Sequence, residues 1–274
     1  MSAADQPGPT PAESAPEPHR QVAESFGVDA ERYDRTRPRY PDTLVDRIAA
    51  RPGLRVLDVG CGTGIAARQL QAAKATVLGV EPDARMADFA RRSGVEVDVA
   101  TFEAWEPGER TFDAVVAGQA WHWVDPVKGP VKAARVLRAG GRLAAFWYVS
   151  EPPAEVSEAL ALALERVLPE SPIDLRAMTR HPVDVYQVMV SKAADGIRAA
   201  GRFGEPEHWR FDEQRSYGRE EWLDQLPTSG ALTRLPPSSL AAVLRKVGTK
   251  IDATGSPFPV QQTTLAVTAL LEPA

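Results

Sequence analysis

One stretch, from Val56 to Gly64, constrains the fold more than any other part of the chain. A short apolar run, Val56-Leu57-Asp58-Val59, leads directly into Gly60-Cys61-Gly62-Thr63-Gly64. Glycine tolerates positive φ and lets a ligand approach the backbone closely. The residues that follow, Ile65 to Ala73, carry apolar side chains at helical spacing. The stretch therefore predicts a strand, a tight turn and a helix whose N-terminus offers free amide groups to a ligand.

The same alternation continues along the chain. Further strands are predicted at 75–80, 95–99, 112–117 and 142–147, and closing strands at 207–211 and 263–271. Helices are predicted between them, including 83–92 and 124–138, the latter ending at Gly140-Gly141. Strands that alternate with helices predict an α/β fold with a doubly wound, mostly parallel sheet.

The domain organisation is predicted from composition. Residues 1–22 are rich in proline and polar residues, so we expect a disordered tail there. Residues 23–274 are predicted to form a single domain, because no linker divides them. Within it, residues 23–53 are expected to form N-terminal lid helices, and residues 152–203 a helical insertion that covers the substrate pocket.

Charge and cysteine content narrow the function. The formal net charge of the 274 residues is -5, which argues against a non-specific nucleic-acid binder. A single cysteine, Cys61, allows neither a disulfide framework nor a cysteine-based metal cage. The chain shows no bilayer-length apolar run and no signal pattern. We therefore expect a cytoplasmic protein without a membrane or nucleic-acid partner.

A second feature lies at the end of the second predicted strand. Glu81, in Val77-Leu78-Gly79-Val80-Glu81-Pro82-Asp83, is placed to accept hydrogen bonds from both hydroxyls of a ribose. This acid fits a nicotinamide nucleotide as well as S-adenosylmethionine. The glycine turn does not have the spacing of a dinucleotide fingerprint, which needs glycine at its sixth position, where Ile65 stands.

Four blocks together resemble the class I S-adenosylmethionine-dependent methyltransferases. They are the glycine turn, the strand ending in Glu81, Phe112-Asp113-Ala114-Val115-Val116 and Val136-Leu137-Arg138-Ala139-Gly140-Gly141. Their order and spacing match from about residue 30 to 150. The resemblance implies a Rossmann-like sheet of seven strands, S-adenosyl-L-methionine as cofactor and transfer of its methyl group.

The resemblance also implies cofactor-binding residues: Asp58, Gly60, Cys61, Gly62, Glu81, Pro82, Met86, Thr101, Phe102, Gln119 and Ala120. The turn around Cys61 is expected to run along the methionine part, with Asp58 orienting the cofactor amine. Glu81 is expected to hold the ribose, and Met86 to pack on the adenine. No metal is expected, although Asp98, Asp113 and Asp125 would be the acids to gather around one.

The substrate side resembles the trans-aconitate methyltransferase subgroup, in Trp121-His122-Trp123 and in the block from Tyr33 to Pro41. This implies Tyr33 and Arg37 as lid residues, with Arg37 binding a carboxylate of the cofactor or of the substrate. His122 is the candidate general base for a hydroxyl or amine acceptor, or else an orienting or packing residue. A carboxylate acceptor needs no base.

The predicted function is methyl transfer to a small molecule, with an oxygen of a carboxylate or hydroxyl as acceptor. The first alternative is a non-catalytic S-adenosylmethionine-binding protein, which would share every cofactor motif. The second is a nicotinamide-dependent oxidoreductase, against which the glycine spacing argues. The predicted assembly is a monomer or a homodimer.

Overall fold

A computed structural model describes residues 25–171 and 174–273, so the predicted tail at 1–22 lies outside the described residues. The strands are β1 (Arg55–Val59), β2 (Thr76–Glu81), β3 (Glu96–Val99), β4 (Phe112–Gly118), β5 (Leu137–Glu151), β6 (Glu207–Tyr217) and β7 (Phe258–Leu270). The α-helices are α1 (Ala30–Thr36), α2 (Asp42–Ile48), α3 (Ile65–Ala72), α4 (Ala84–Arg92), α5 (Lys128–Val136), α6 (Ala154–Val167), α7 (Leu175–Arg180), α8 (Pro182–Ala199), α9 (Arg219–Gln225) and α10 (Pro237–Thr254).

The seven strands form one sheet in the order β3-β2-β1-β4-β5-β7-β6. Strands β1 to β5 run parallel, and β7 lies antiparallel between β5 and β6. The prediction of a doubly wound, mostly parallel seven-stranded sheet is confirmed. The chain leaves β1 towards β2 and β3 and then returns to add β4 on the other side. The gap between the carboxyl ends of β1 and β4 is therefore the topological switch point, where ligands bind in such sheets.

Both faces of the sheet are covered. Leu57 and Val59 of β1 contribute to one core cluster and Val56 to another, because successive strand side chains point to opposite faces. Two-sided burial explains why the predicted strands read as continuous apolar runs. A third cluster joins α6 and α10 to the far ends of β6 and β7.

One predicted helix has different bounds. We expected a helix over 124–138 that stops at Gly140-Gly141, but α5 covers Lys128–Val136. Leu137 already has extended backbone and opens β5. Gly140, with φ 72°, lies inside that strand at an irregularity of its pairing with β4. The two glycines therefore mark a distortion of a strand end and not a helix stop.

The last three strands are longer than predicted. Strand β7 is buried on both faces although it contains Gln262, Thr263, Thr264 and Thr268. Its pairing with β5 and β6 satisfies the backbone, and Thr263 donates to Asp212 of β6. The prediction began at Thr263, because Gln261 and Gln262 interrupt the apolar pattern before that residue. Strand β6 is exposed and charged over most of its length, as edge strands often are.

The segment predicted as a helical insertion contains α6, α7 and α8. Helix α8 packs on the sheet through Val190, Ala193 and Ile197, which belong to the core. Its role as a cover for the substrate stays a prediction. Within the described part of the chain, the helices are too short or too polar for any of them to cross a membrane.

Candidate active site

The site lies at the switch point, where the glycine turn after β1 meets the loop after β4. A Cβ atom placed on Gly60 would lie 2.5 Å from the Cβ of Ala120, so the two loops are in direct contact. Two of the sequence-predicted regions, the turn and Gln119-Ala120, are thus brought together by the β1–β4 pairing.

The glycine turn needs its glycines. Gly60, Gly62 and Gly64 have φ values of 64°, 56° and 85°, in the region that favours glycine. Gly64 is the residue before helix α3. The amide of Gly60 donates to the carbonyl of Val80 at 2.7 Å, which fixes the turn against β2. This geometry leaves the backbone close to any ligand above the turn.

Asp58 is buried at the end of β1, with 1% of its surface exposed. Neither carboxyl oxygen has a hydrogen-bond partner of ordinary geometry. Burial, and then the charge of Glu81, raise the pKa of Asp58 to about 8, and the Ala67 amide opposes this only in part. An unpartnered buried carboxyl group is costly. Asp58 therefore fits a cationic ligand group, such as the amine of the predicted cofactor.

Glu81 ends β2 beside the turn. Its Oε2 atom accepts from the Gly62 amide at 2.8 Å and its Oε1 atom from the Asp83 amide at 2.9 Å. Burial raises the pKa of Glu81 to about 7, against the effect of these two hydrogen bonds. Each carboxylate oxygen has a second lone pair. Glu81 is thus fixed in position with acceptor capacity left for a ribose.

The other predicted cofactor contacts near the glycine turn and β2 differ in how accessible they are to a ligand. Met86 is buried, and its Cε atom lies 3.9 Å from a Cβ placed on Gly62, so it faces the turn. The Cys61 side chain packs against Gly79 in the core and leaves only the backbone for a ligand. Pro82 is exposed.

After β3, the residues predicted to contact the adenine, Thr101 and Phe102, are less accessible to a ligand. Phe102 belongs to the core and stacks on Trp105 with ring centroids 6.4 Å apart. The Thr101 hydroxyl accepts from the Ala104 amide at 3.3 Å. A ligand in this structure would therefore meet Thr101 or the backbone of Phe102, and not the phenyl ring.

Gln119 is strained in a way typical of functional sites. It has a φ of 58° although it is not a glycine. Its amide N–H donates to the Phe146 carbonyl and its side-chain nitrogen to the Tyr148 carbonyl, both at 2.8 Å. These two bonds to β5 hold the residue in place and turn the chain towards Ala120 and the glycine turn.

The predicted lid residues Tyr33 and Arg37 are brought together. The guanidinium carbon of Arg37 lies 4.8 Å from the centroid of the Tyr33 ring. Nη1 of Arg37 donates to the Tyr148 hydroxyl at 2.9 Å, and Nη2 donates to the Thr228 carbonyl. The Nε atom is shielded from solvent and has no partner. Arg37 thus reaches from the N-terminal segment to the end of β5.

The rest of the N-terminal segment folds over the same end of the sheet. Asp34 forms an ion pair with Arg68 of α3. Arg68 also donates to the Thr63 carbonyl in the turn, at 2.6 Å. Further along, a Cβ on Gly27 would lie 2.0 Å from Asp83 Oδ2, so only glycine fits there. These contacts place residues 26–40 above the glycine turn.

His122 has different neighbours. It lies in a short 3-10 helix, Trp121–Trp123, after β4. Its Nδ1 atom accepts a hydrogen bond from the indole nitrogen of Trp147 at 3.1 Å. Trp147 and Tyr148 are consecutive on β5, so their side chains point to opposite faces of the sheet. The structure therefore joins Arg37 to Tyr33 but places His122 beside another partner.

Several residues of the site were not predicted from the sequence. They are Tyr148 and Trp147 of β5, Thr228, and Tyr186 of α8, which acts electrostatically on Arg37. Burial raises the pKa of Tyr148, so the phenol stays protonated. The only available signal was the position of Tyr148 at the carboxyl end of a strand, where ligand-binding residues collect.

The acids considered for a metal are apart from one another. Asp98 accepts from Trp105 and Arg110, Asp113 pairs with Arg138, and Asp125 accepts from backbone amides at the start of α5. Residues 25–171 and 174–273 contain no group of three histidine, cysteine or acidic side chains arranged to hold a metal ion.

Comparison with known proteins agrees with this geometry. A family model described as a methyltransferase domain matches residues 57–145. Residues 57–145 of this chain are therefore similar to a methyltransferase domain. The match agrees with the predicted methyltransferase class and with the predicted cofactor, S-adenosylmethionine.

Among curated relatives, an uncharacterized methyltransferase of Mycobacterium bovis is 38% identical over 130 residues, which are 47% of this chain and 54% of that protein. A ubiquinone biosynthesis O-methyltransferase of Methylocella silvestris is 41% identical over 105 residues, 35% of this chain and 41% of that protein. The chain thus spans about half the length of the curated relatives it matches.

A solved structure from Anaeromyxobacter dehalogenans, described as a type II methyltransferase, has a TM-score of 0.59 and 25% identity to this chain. It covers 86% of this chain and 97% of its own length. The fold therefore extends well beyond the region matched by the family model.

Proposed function

We propose that this protein transfers a methyl group from S-adenosylmethionine to an oxygen of a small organic molecule, and that a carboxylate is the favoured acceptor. The observation that carries the proposal is that the Arg37 guanidinium lies at this site without a carboxylate partner among the described residues. Its three nitrogens have two partners, a phenol and a carbonyl. Within residues 25–171 and 174–273, Arg37 has no carboxylate partner.

An arginine is a permanent cation. A cation withdrawn from water is stabilised by an opposite charge, and the planar guanidinium matches a carboxylate in geometry. Arg37 stands at the carboxyl end of the sheet, against Tyr33 and Tyr148. A small anionic ligand would complete this group. Two carboxylates are available for it, that of the acceptor and that of the cofactor's methionine.

The buried residues fit the cofactor. When bound, S-adenosylmethionine supplies an electrophilic methyl group, so the donor carries the difficult chemistry. The free oxygens of Asp58 would receive its amine and Glu81 its ribose hydroxyls. The amides of the glycine turn would line its chain, with Met86 beside them.

The remaining work of the protein is alignment and exclusion of water. Residues 26–40 cover the turn, and Arg37 with Tyr148 would orient an acceptor carboxylate. The relative named as a ubiquinone biosynthesis O-methyltransferase has oxygen as its acceptor atom, which supports the same atom here. The trans-aconitate type of subgroup stays part of this proposal.

The first test is calorimetric titration with S-adenosylhomocysteine, with NAD and NADP as controls, followed by an acceptor screen. Small mono-, di- and tricarboxylic acids are compared with phenols and alcohols by the S-adenosylhomocysteine they release. We expect tight binding of S-adenosylhomocysteine alone, and turnover with a carboxylic acid. Binding without turnover of any acceptor would favour the non-catalytic alternative.

Arg37→Gln then separates the two carboxylates, with Arg39→Gln as the matched control, since Arg39 is exposed on the same segment. If Arg37 binds the acceptor, the KM for the acceptor should rise about 10- to 100-fold in Arg37→Gln, because a charge-assisted hydrogen bond is lost. The affinity for S-adenosylhomocysteine should then stay unchanged. If Arg37 binds the cofactor, that affinity falls instead. An Arg37→Gln variant equal to the control in both measurements would refute the proposal.

A further inference from the structure

The contact between Trp147 and His122 defines the chemistry of the histidine. The indole nitrogen of Trp147 lies 3.1 Å from Nδ1 of His122. An indole N–H is a donor only. Nδ1 must therefore be the acceptor and carry no proton. In a neutral imidazole the proton then sits on the other nitrogen, Nε2.

The tryptophan makes this arrangement hard to change. Trp147 is fully buried in the core cluster between the sheet and α8. A buried N–H that loses its partner costs about 1–3 kcal/mol. Protonation of His122 at Nδ1 would place two N–H groups against each other and leave the indole without an acceptor. The neutral form with the proton on Nε2 is therefore the form that the core selects.

The surroundings of the histidine act in the same direction. The Trp123 ring lies 4.5 Å from the imidazole, centroid to centroid. His122 keeps a solvent-exposed surface, yet crowding by the protein lowers its pKa below the ordinary value. No charged group on the sheet, on α8 or on the loop contributes to that shift. Its Nε2 atom has no hydrogen-bond partner within residues 25–171 and 174–273.

We infer that Trp147 is a positioning residue that holds His122 as a neutral Nε2–H donor, and that His122 donates a hydrogen bond to an oxygen of the ligand and does not act as a general base. His122 stands two residues after Ala120, which touches the glycine turn. The state of the imidazole follows from the Trp147 contact alone. Its use towards the acceptor rests on the proposed function.

This assignment narrows the acceptor class. Methylation of a carboxylate forms one O–C bond, breaks the C–S bond of the donor and releases no proton. A hydroxyl acceptor has to lose a proton, and a histidine held as an Nε2–H donor has no free lone pair to take it. The hydrogen-bonded pair of Trp147 and His122 therefore favours acceptors whose oxygen is already anionic.

The state of the imidazole is tested without any substrate, by nitrogen NMR of the 15N-labelled full chain. The signals of His122 are identified by their loss in His122→Gln. We expect a coupling across the hydrogen bond between Trp147 Nε1 and His122 Nδ1, with the His122 proton on Nε2. A proton on Nδ1, or the absence of the coupling, would overturn the inference.

Trp147→Phe removes the donor and keeps an aromatic ring. We expect the Nδ1 signal to shift and the pKa of His122 to rise. Trp105→Phe is the matched control, because it removes another buried indole donor, one bonded to Asp98. Equal His122 spectra in the two variants would contradict the role of Trp147. If Trp147→Phe does not fold, the coupling in the unmodified protein decides.

Turnover separates a donor from a base. His122→Gln keeps a side-chain N–H donor, and His122→Phe keeps the ring without one. If His122 is a donor, we expect the turnover of His122→Gln to stay within about tenfold of the unmodified protein, which is the range of one hydrogen bond. The turnover of His122→Phe should fall further. For a base, both variants would lose about 100- to 10,000-fold. Equal losses in both variants would refute the donor role, and the NMR result stands apart even where no acceptor turns over.

Discussion

At the scale of the residue, Glu81 connects three parts of the site. Its two oxygens accept from the Gly62 and Asp83 amides, so the carboxylate ties the glycine turn to the start of α4. The same carboxylate is the predicted acceptor for the cofactor ribose. A substitution there affects both the stability of the turn and the binding of ligand.

For Glu81→Ala, we expect the affinity for S-adenosylhomocysteine to fall about 10- to 100-fold, because hydrogen bonds to a charged acceptor are lost. Two backbone amides are also left unpaired, so the free energy of unfolding should drop by about 1–3 kcal/mol for each. Calorimetry and denaturant titration measure the two effects. Glu81→Gln is the control, since it keeps an acceptor oxygen. Unchanged affinity in Glu81→Ala would remove this residue from the site.

At the scale of the element, the N-terminal helix α1 is fastened at two sides. Asp34 binds Arg68 of α3, and Arg32 and Arg35 both bind Asp224 of α9. Helix α1 therefore bridges from the glycine turn to the C-terminal half of the chain. Its seven residues are too few to form a stable helix alone, so these contacts hold it in place.

Removal of the ion pairs between α1 and Asp224 should make α1 a looser lid over the glycine turn. For Asp224→Ala, we expect the dissociation of S-adenosylhomocysteine to become about two- to fivefold faster. Surface ion pairs contribute about 0–1 kcal/mol each, so the free energy of unfolding should change little. Asp195→Ala is the control, because Asp195 pairs with Arg198 away from the site. Stopped-flow measurement showing equal rates in both variants would argue against a lid function of α1.

At the scale of the whole molecule, the two buried acids link stability to pH. The pKa of Asp58 is raised from 3.8 to about 8 and that of Glu81 from 4.5 to about 7. The folded protein therefore keeps protons that the unfolded chain has released. A raised carboxyl pKa makes the free protein less stable as pH rises from about 4 to 8, by up to about 1.4 kcal/mol per pH unit for each group.

We expect the free energy of unfolding of the unliganded protein to fall between pH 5.5 and 8, and the fall to be smaller in Asp58→Asn. Asp113→Asn is the control, because hydrogen bonds from Arg55 and Arg138 outweigh burial and lower the pKa of Asp113. A cationic ligand group favours ionised Asp58, so binding of S-adenosylhomocysteine should release protons and tighten with pH. Calorimetry in buffers of different ionisation heat measures this release, and binding without proton release would contradict the role of Asp58.

Most of the fold was predictable because its signals are local. The glycine turn, the acid at the end of β2 and the alternation of strand and helix each lie within one short stretch of chain. The errors have local causes too. Gly140-Gly141 has the composition of a helix stop, but β-pairing with β4 and β7 extends β5 through it. Strand β7 was predicted only from Thr263, because Gln261 and Gln262 precede its apolar residues, and pairing with β5 and β6 extends it back towards Phe258.

The sequence by itself determined the parallel sheet, the glycine turn and the acids beside it, because backbone conformation and the alternation of strand and helix follow from near neighbours. Only the tertiary structure decided which side chains share the site. Arg37 meets Tyr148 across 111 positions of sequence, and His122 meets Trp147 across 25. Such contacts depend on how strands are ordered and how helices cover them. The same packing decided the chemistry of the histidine, because a buried indole fixed which nitrogen is free to act.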